Sequence, residues 1–301
     1  MGLNNFCNVA DMSISQKLEV NLVSLFDWGF VNKGGYINVN IDQSGAYVDN
    51  RSLLTRITDP RSPTTAYYQG NENWVYESGQ SSSPAPFVPP LIYVNGTLDI
   101  SPIINYRDGR VTPSVSTNAA SIVKAKHSYK WVNFTLSRNS FFRRHAQYNQ
   151  ARTDIKNGDI SIPPEIRTTL PCVAIDVSPI STSRPFGMEW RGPRIYSNSV
   201  SMYVIGESSA DVMKICDFIA AQKGNNFYAF DPSLAIAAND FPLNMNGTIN
   251  SGKNHDQLSA DYPWCTIRVI NAESLWSGYL NENLYQAIVK IQTEITACLS
   301  C

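Results

Sequence analysis

The chain has 301 residues, of which 43% are hydrophobic and 16% charged, so it can fill a sizeable core and is not globally disordered. Lys plus Arg (24) nearly balance Asp plus Glu (25), which argues against whole-chain attraction to nucleic acid and leaves only local patches to consider. No apolar run reaches the roughly 18 residues of a membrane span. The opening MGLNNFCNVADMSISQ also lacks a secretory pattern, so synthesis in a cytosol is expected.

The first strong element is a helix over 13–27. Ser13 and Gln16 have capping-box spacing, Leu18, Leu22, Leu25 and Phe26 form its apolar stripe, and Gly29 marks its expected end. After Gly34-Gly35, Ile37, Val39 and Ile41 alternate with Tyr36, Asn38 and Asn40, the period of a half-buried strand. NWVYES near Trp74 reads as strand-like, and the proline- and serine-rich run 79–90 reads as a boundary. Two hairpin turns follow, at Asn95-Gly96 and Asp108-Gly109, dipeptides that accept positive φ. In VKAKHSYKWVNFTL, Val123, Ala125, His127 and Tyr129 alternate with Lys124, Lys126, Ser128 and Lys130, predicting a strand wet on one face.

Beyond 156 a second block begins. Residues 170–178 and 194–208 read as strands. Ser208 is a helix N-cap with Asp211 at N3, followed by the stripe Val212, Ile215, Cys216 and Ile219, with Gly224 just past the end. Strands are expected at 226–231 and 265–270, and a long polar loop at 239–261. The terminal run reads as a strand, because Ala287, Val289, Ile291, Thr293, Ile295, Ala297 and Leu299 alternate with Lys290, Gln292, Glu294 and Thr296. Such a strand needs partners on both edges or cover from a neighbour.

Chemistry is sparse. There is no phosphate-binding glycine loop, G-x-S-x-G elbow or H-E-x-x-H. His127, His145 and His255 fall in a strand, a basic segment and a polar loop, without metal or triad spacing, and read as ordinary surface or strand histidines. Asp27, Asp108, Asp231 and Asp261 stand beside Trp, Gly, Pro and Tyr; a sugar site would need two buried carboxylates facing across a groove. Cys172, Cys216 and Cys265 sit in apolar runs as small hydrophobes, and Cys298-x-x-Cys301 lacks the second pair that zinc wants. Reduced, metal-free cysteines, no cofactor and no catalytic residue are therefore expected.

The segment 138–156 concentrates Arg138, Arg143, Arg144, Arg152 and Lys156 around Phe141, Phe142 and Tyr148. It can be a contact with an acidic protein partner, a solvated linker, or a nucleic-acid contact. The first is favoured because adjacent exposed aromatics seek an interface. Arg138, Phe141, Phe142, Arg143 and Arg144 are its candidate partner-contact residues.

Taken in order, FDWGFVNKGGYINVNI, NWVYESG, IYVNGTLDISPIINYRDGRV and SVSMYVIGESSADVMKICDFIAAQKGNNFYAFD resemble neck proteins of tailed bacteriophages, the head-to-tail connector and tail-terminator components of virions. Residues 170–298, a strand pair with a helix laid on it and closing strands, are similar to the ring-forming fold of tail terminators. That resemblance implies a homo-oligomeric ring around a DNA passage, other neck or tail proteins as partners, passive contact with packaged DNA and no membrane. It also implies a place in the virion after assembly in the host cytoplasm, and no catalytic residue. The β unit at 86–136 is where the chain departs from it. The expected fold is α+β: an antiparallel-dominated sheet with two helices packed on it and an inserted small β-hairpin unit. Its expected divisions are 1–85 (N-terminal helix and strands of the main domain), 86–136 (the insert) and 137–301 (a terminator-like domain). A receptor- or glycan-binding baseplate or tail-fibre module is the alternative, signalled by aromatics lining a groove of the β unit.

Overall fold

Helix α1 (Ile14–Asn32) starts with the reciprocal cap its sequence encodes: Ser13 N donates to Gln16 Oε1 (2.8 Å) and Gln16 N to Ser13 Oγ (3.2 Å). Leu18, Leu22 and Phe26 are buried along one stripe. The helix does not stop at Gly29. A mid-helix glycine costs only about 1 kcal/mol against alanine, and continuing the helix buries Phe30 and Val31. The end falls at Asn32, where the amides of Lys33 and Gly35 donate to Phe30 O and that of Gly34 to Val31 O.

The structure, a computed structural model, describes residues 12–41, 50–59, 62–138, 169–180, 182–185, 194–281 and 284–297. These form a mixed α+β, antiparallel-dominated fold, as the sequence pattern predicts. The chain divides into two compact units: Trp28–Trp131 with Ala238–Asn254, and Met1–Asp27 with Val132–Ala237 and His255–Cys301. The divisions thus fall at different places from 85 and 136.

The unit built on Trp28–Trp131 contains β1 (Tyr36–Val39), β2 (Thr55–Asp59), β3 (Ser62–Gln69), β4 (Leu91–Val94), β5 (Thr97–Asp99), β6 (Ile103–Asn105), β7 (Arg110–Thr112) and β8 (Val123–Lys130). They make two four-stranded sheets, ordered β1-β8-β4-β5 and β2-β3-β7-β6. Both sheets feed one core, in which Tyr68, Ile92, Val111 and Ala125 surround the buried Trp74. The β4–β5 turn holds Asn95 and Gly96 at φ 51° and 83°, as the Asn-Gly signal requires. The Asp108-Gly109 turn differs. Asn105 pairs with Arg110 around a four-residue connection, and Gly109 alone of the two turn residues has positive φ.

The run 79–90 is not a boundary but lies within this unit. A proline-rich segment makes no ladder of its own, so its carbonyls are free to accept bonds. Tyr36 Oη donates to Pro84 O (2.6 Å), Asn38 Nδ2 to Ala85 O (3.1 Å), and Phe87 N donates to Ser128 Oγ (2.7 Å). The face of β8 expected to be wet is therefore only half so. Lys124 and Lys126 are partly exposed, while Ser128 and Lys130 are buried.

The other unit contains β9 (Asn133–Leu136), β10 (Cys172–Val177), β11 (Thr182–Pro185), β12 (Arg194–Gly206), β13 (Asn226–Phe230), β14 (Pro263–Asn281) and β15 (Leu284–Ala297). Its helices are α2 (Ser209–Ala220), α3 (Pro232–Ala237) and α4 (His255–Asp261). The seven-stranded sheet runs β13-β14-β15-β12-β10-β9, with β11 also on β12, and only β9–β10 is parallel. Register aligns one apolar face across the sheet: Ile175, Met202 and Val289 in one row, Val177, Val200, Ile291 and Ala272 in the next. α1 covers this face through the Phe26–Phe134 stack (5.9 Å between ring centroids). α2 lies against β12, β14 and β15, with Val212, Ile215, Cys216 and Ile219 buried. Arg268, Lys290, Gln292 and Thr296 mark the exposed opposite face.

Three readings change here. α3 was not foreseen, and the expected loop over 239–261 ends in α4. β14 continues to Asn281, well past the 265–270 strand, because register shifts at Val269/Asn271, Ser274/Trp276 and Tyr279/Asn281 break the alternation that would reveal it. β15 has a partner on each edge, β12 and β14, inside its own chain.

Candidate functional site

Ionisable side chains are buried at several points, and the described partners neutralise them within each unit. In the unit built on Trp28–Trp131, Lys130 Nζ lies 2.5 Å from Glu77 Oε1, with both side chains nearly inaccessible, and 4.3 Å from the Tyr76 ring centroid. Asp99 is buried and accepts from Ser114 N (2.7 Å), Ser114 Oγ and Ser101 N (3.3 Å). Burial raises its pKa while these hydrogen bonds lower it, and the net direction is down. Asp240 pairs with Lys253, and Asp108 is 3.7 Å from Arg110.

In the other unit, Lys17 Nζ lies 2.5 Å from Asp231 Oδ2. Asp231 Oδ1 also accepts from Ser233 N (2.9 Å), capping α3. Glu19, buried on α1, receives the Arg138 guanidinium. Burial pushes the Glu19 carboxyl up from its ordinary range, Arg138 pulls it down, and Asp176 adds to the rise. Arg138 lies two residues beyond the end of β9 and stays about half exposed, but its charge is held by Glu19. Of the five candidate partner-contact residues, Arg138 is thus placed in an ion pair within the chain. Phe141, Phe142, Arg143 and Arg144 lie outside the described residues.

The two described histidines are core residues rather than surface ones. His127 is fully buried and stacks on Trp74, with ring centroids 4.2 Å apart. His255 opens α4, 3% exposed, with Nε2 2.9 Å from Tyr228 O, Nδ1 3.3 Å from Ser24 Oγ and Phe230 edge-on. Burial lowers its pKa, against smaller upward pulls from the Tyr228 carbonyl and Asp256. His145 lies outside the described residues. The alternation around His127 indicated its inward direction; nothing local announced His255, whose α4 is a short helix of about two turns in a polar stretch.

Cys172 and Cys216 are buried thiols with pKa pushed up to about 12 and about 11. Cys265 is pushed up as well, chiefly by burial, so none of the three is an activated nucleophile. Cys7, Cys298 and Cys301 lie outside the described residues. Among the described residues no group of three or more His, Cys, Asp or Glu could hold a metal ion. The buried carboxylates Glu77 and Asp99 are engaged by Lys130 and by Ser114, not set across a groove. No helix among the described residues is long and apolar enough to cross a membrane.

Large apolar side chains, in contrast, stand in solvent. Leu234 and Ile236 on α3, Met213 on α2, and Leu275 and Tyr279 on β14 are all more than half exposed. Tyr279 and Tyr285 face each other across the end of the β14–β15 hairpin, with centroids 4.7 Å apart. Compared with models of known protein families the chain matches none, and no curated protein matches it.

Proposed function

We propose that this chain is a non-enzymatic structural subunit of a tailed-phage virion. In that role it forms, with copies of itself, a ring in the neck that joins head to tail around the DNA passage, as connector or tail terminator. Other neck or tail proteins are its neighbours, and the host cytoplasm is where it assembles. The observation that carries the reading is the division of labour among its side chains. Buried charge is neutralised inside the fold, while large apolar groups such as Leu234, Ile236, Leu275 and Tyr279 are left for contacts outside it. A soluble catalyst keeps its unusual groups in a pocket; an assembly subunit keeps them on its surface. An attachment module would need aromatics lining a groove of the β unit at 86–136; there Tyr106 is a core residue, while Tyr93 is half-buried on the outer face of the sheet.

The test is sedimentation velocity with negative-stain imaging of the purified chain. Closed rings of uniform subunit number are expected. A monomer at every concentration tried, alone and with lysate of the infected host, overturns the reading.

A further inference from the structure

The sheet β1-β8-β4-β5 turns one face to the core; the 79–90 run covers the Ser128–Lys130 end of the other face, and no described strand covers the part built on β4, β5 and the start of β8. Paired residues share a face, so register identifies what that outer face carries. Leu98 pairs with Tyr93, Tyr93 with Lys124, and Lys124 with Leu53 by an isolated bridge, giving one row across the sheet. Leu91 pairs with Lys126 in the next row. Leu53, Leu91 and Leu98 are 52%, 37% and 44% exposed, all on this one face. Their neighbours Ile92, Val94, Val123 and Ala125 point to the core and are buried, so strand alternation would have placed polar residues where these leucines stand.

The two lysines sit amid this apolar surface. Neither Lys124 nor Lys126 has a carboxylate partner among the described residues, and Lys126 Nζ rests 4.2 Å from the Phe87 ring centroid. Four carboxylates of the unit are engaged with other groups: Glu77 with Lys130, Asp99 with Ser114 on the opposite face, Asp108 with Arg110 and Asp240 with Lys253. The patch is therefore apolar with an uncompensated positive centre. A phosphate backbone would satisfy the lysines and leave three leucines in water. A protein surface carrying carboxylates beside an apolar side chain satisfies both.

The chain presents such a surface itself. On the solvent side of α2, Met213 is 58% exposed and Asp217 follows one turn later, with Glu207 exposed just before the helix and Lys214 beside them. We infer that the open part of this face, the rows of Leu53, Leu91 and Leu98 around Lys124 and Lys126, docks a second copy of this chain, with the two lysines meeting the carboxylates of Glu207, just before α2, and Asp217, on it. Two different patches meeting make a heterologous contact, the kind that generates rings. The inference rests on the ring reading above and supplies the contact it needs.

Charge reversal tests it on the full-length chain. Lys124→Glu with Lys126→Glu should raise the assembly dissociation constant at least about tenfold in sedimentation equilibrium. Glu207→Lys with Asp217→Lys should do the same, and the four-substitution chain should return to near wild type. These are surface positions, and an unchanged melting curve confirms that each variant folds. If a variant does misfold, oxidative cross-linking of the otherwise unchanged chain carrying Leu98→Cys and Met213→Cys decides the matter: a disulfide between positions 98 and 213 of two copies supports the docking, and its absence in assembled protein overturns it. A wild-type chain that never assembles sinks the ring reading and this contact together. Wild-type rings that survive both reversals sink the contact alone. Loss of DNA binding with assembly intact assigns the face to nucleic acid and also overturns it.

Discussion

Removing Glu77 while keeping Lys130 should be among the most damaging single changes in the unit built on Trp28–Trp131. The two charges are 2.5 Å apart, with side chains 3% and 6% exposed. At that separation an effective dielectric of about 20 gives an attraction of about 7 kcal/mol, most of it offset by a desolvation cost of several kcal/mol per ion. The intact pair thus contributes little net stability, but a buried ammonium without the carboxylate keeps its desolvation cost and loses the opposing charge. Glu77→Leu should destabilise by about 3–5 kcal/mol. The Tyr76 ring, 4.3 Å from Nζ, recovers only part, about 1–2 kcal/mol. Glu77→Leu with Lys130→Met replaces both charges by apolar groups of similar volume, and should return to within about 1 kcal/mol of wild type or exceed it. Urea unfolding followed by the fluorescence of buried Trp74 reads all three proteins. A single replacement costing under about 1 kcal/mol, or a double replacement as unstable as the single one, would refute the reasoning.

Glycine replacements should separate two positions that look alike in sequence. Gly29→Ala in α1 meets nothing within 4 Å and should stabilise by about 1 kcal/mol, whereas a Cβ at Gly109, held at φ +61°, falls on the backbone carbonyl of Asn71 and should cost well over the 1–3 kcal/mol, approximately, of backbone strain alone; thermal melts check both. His255 has its folded pKa lowered below 6.5, so the unfolded chain binds the proton more tightly, and stability should fall as pH drops from about 6.5 through the lowered value. That loss should vanish in His255→Gln, and an unchanged pH profile in the variant contradicts the assignment. In a chain with Cys7, Cys298 and Cys301 replaced by Ser, the remaining thiols should resist a thiol reagent at pH 8 until the protein unfolds, since burial holds Cys172 and Cys216 at about 12 and about 11.

The sequence by itself determined the elements whose signals are local. The Ser13–Gln16 cap, the Ser208 N-cap with the Val212-Ile215-Cys216-Ile219 stripe, the Asn95-Gly96 turn and the alternation of β15 each sit within a few residues of the structure they specify. Tertiary structure decided the rest, because the deciding partner is remote in the chain. α1 outruns Gly29 because Trp28 and Val31 find Val75 to pack on. The proline-rich run 79–90 ceases to be a boundary because Tyr36, Asn38 and Ser128 bond to it. β14 extends to Asn281 because β15 supplies a ladder that tolerates three bulges. Lys130 and Arg138, both cations expected at a wet surface or a partner, are instead drawn to Glu77 and Glu19, carboxylates 53 and 119 positions away. A charge buried by the fold must find its counter-charge wherever the fold brings one, and no local pattern records that distance.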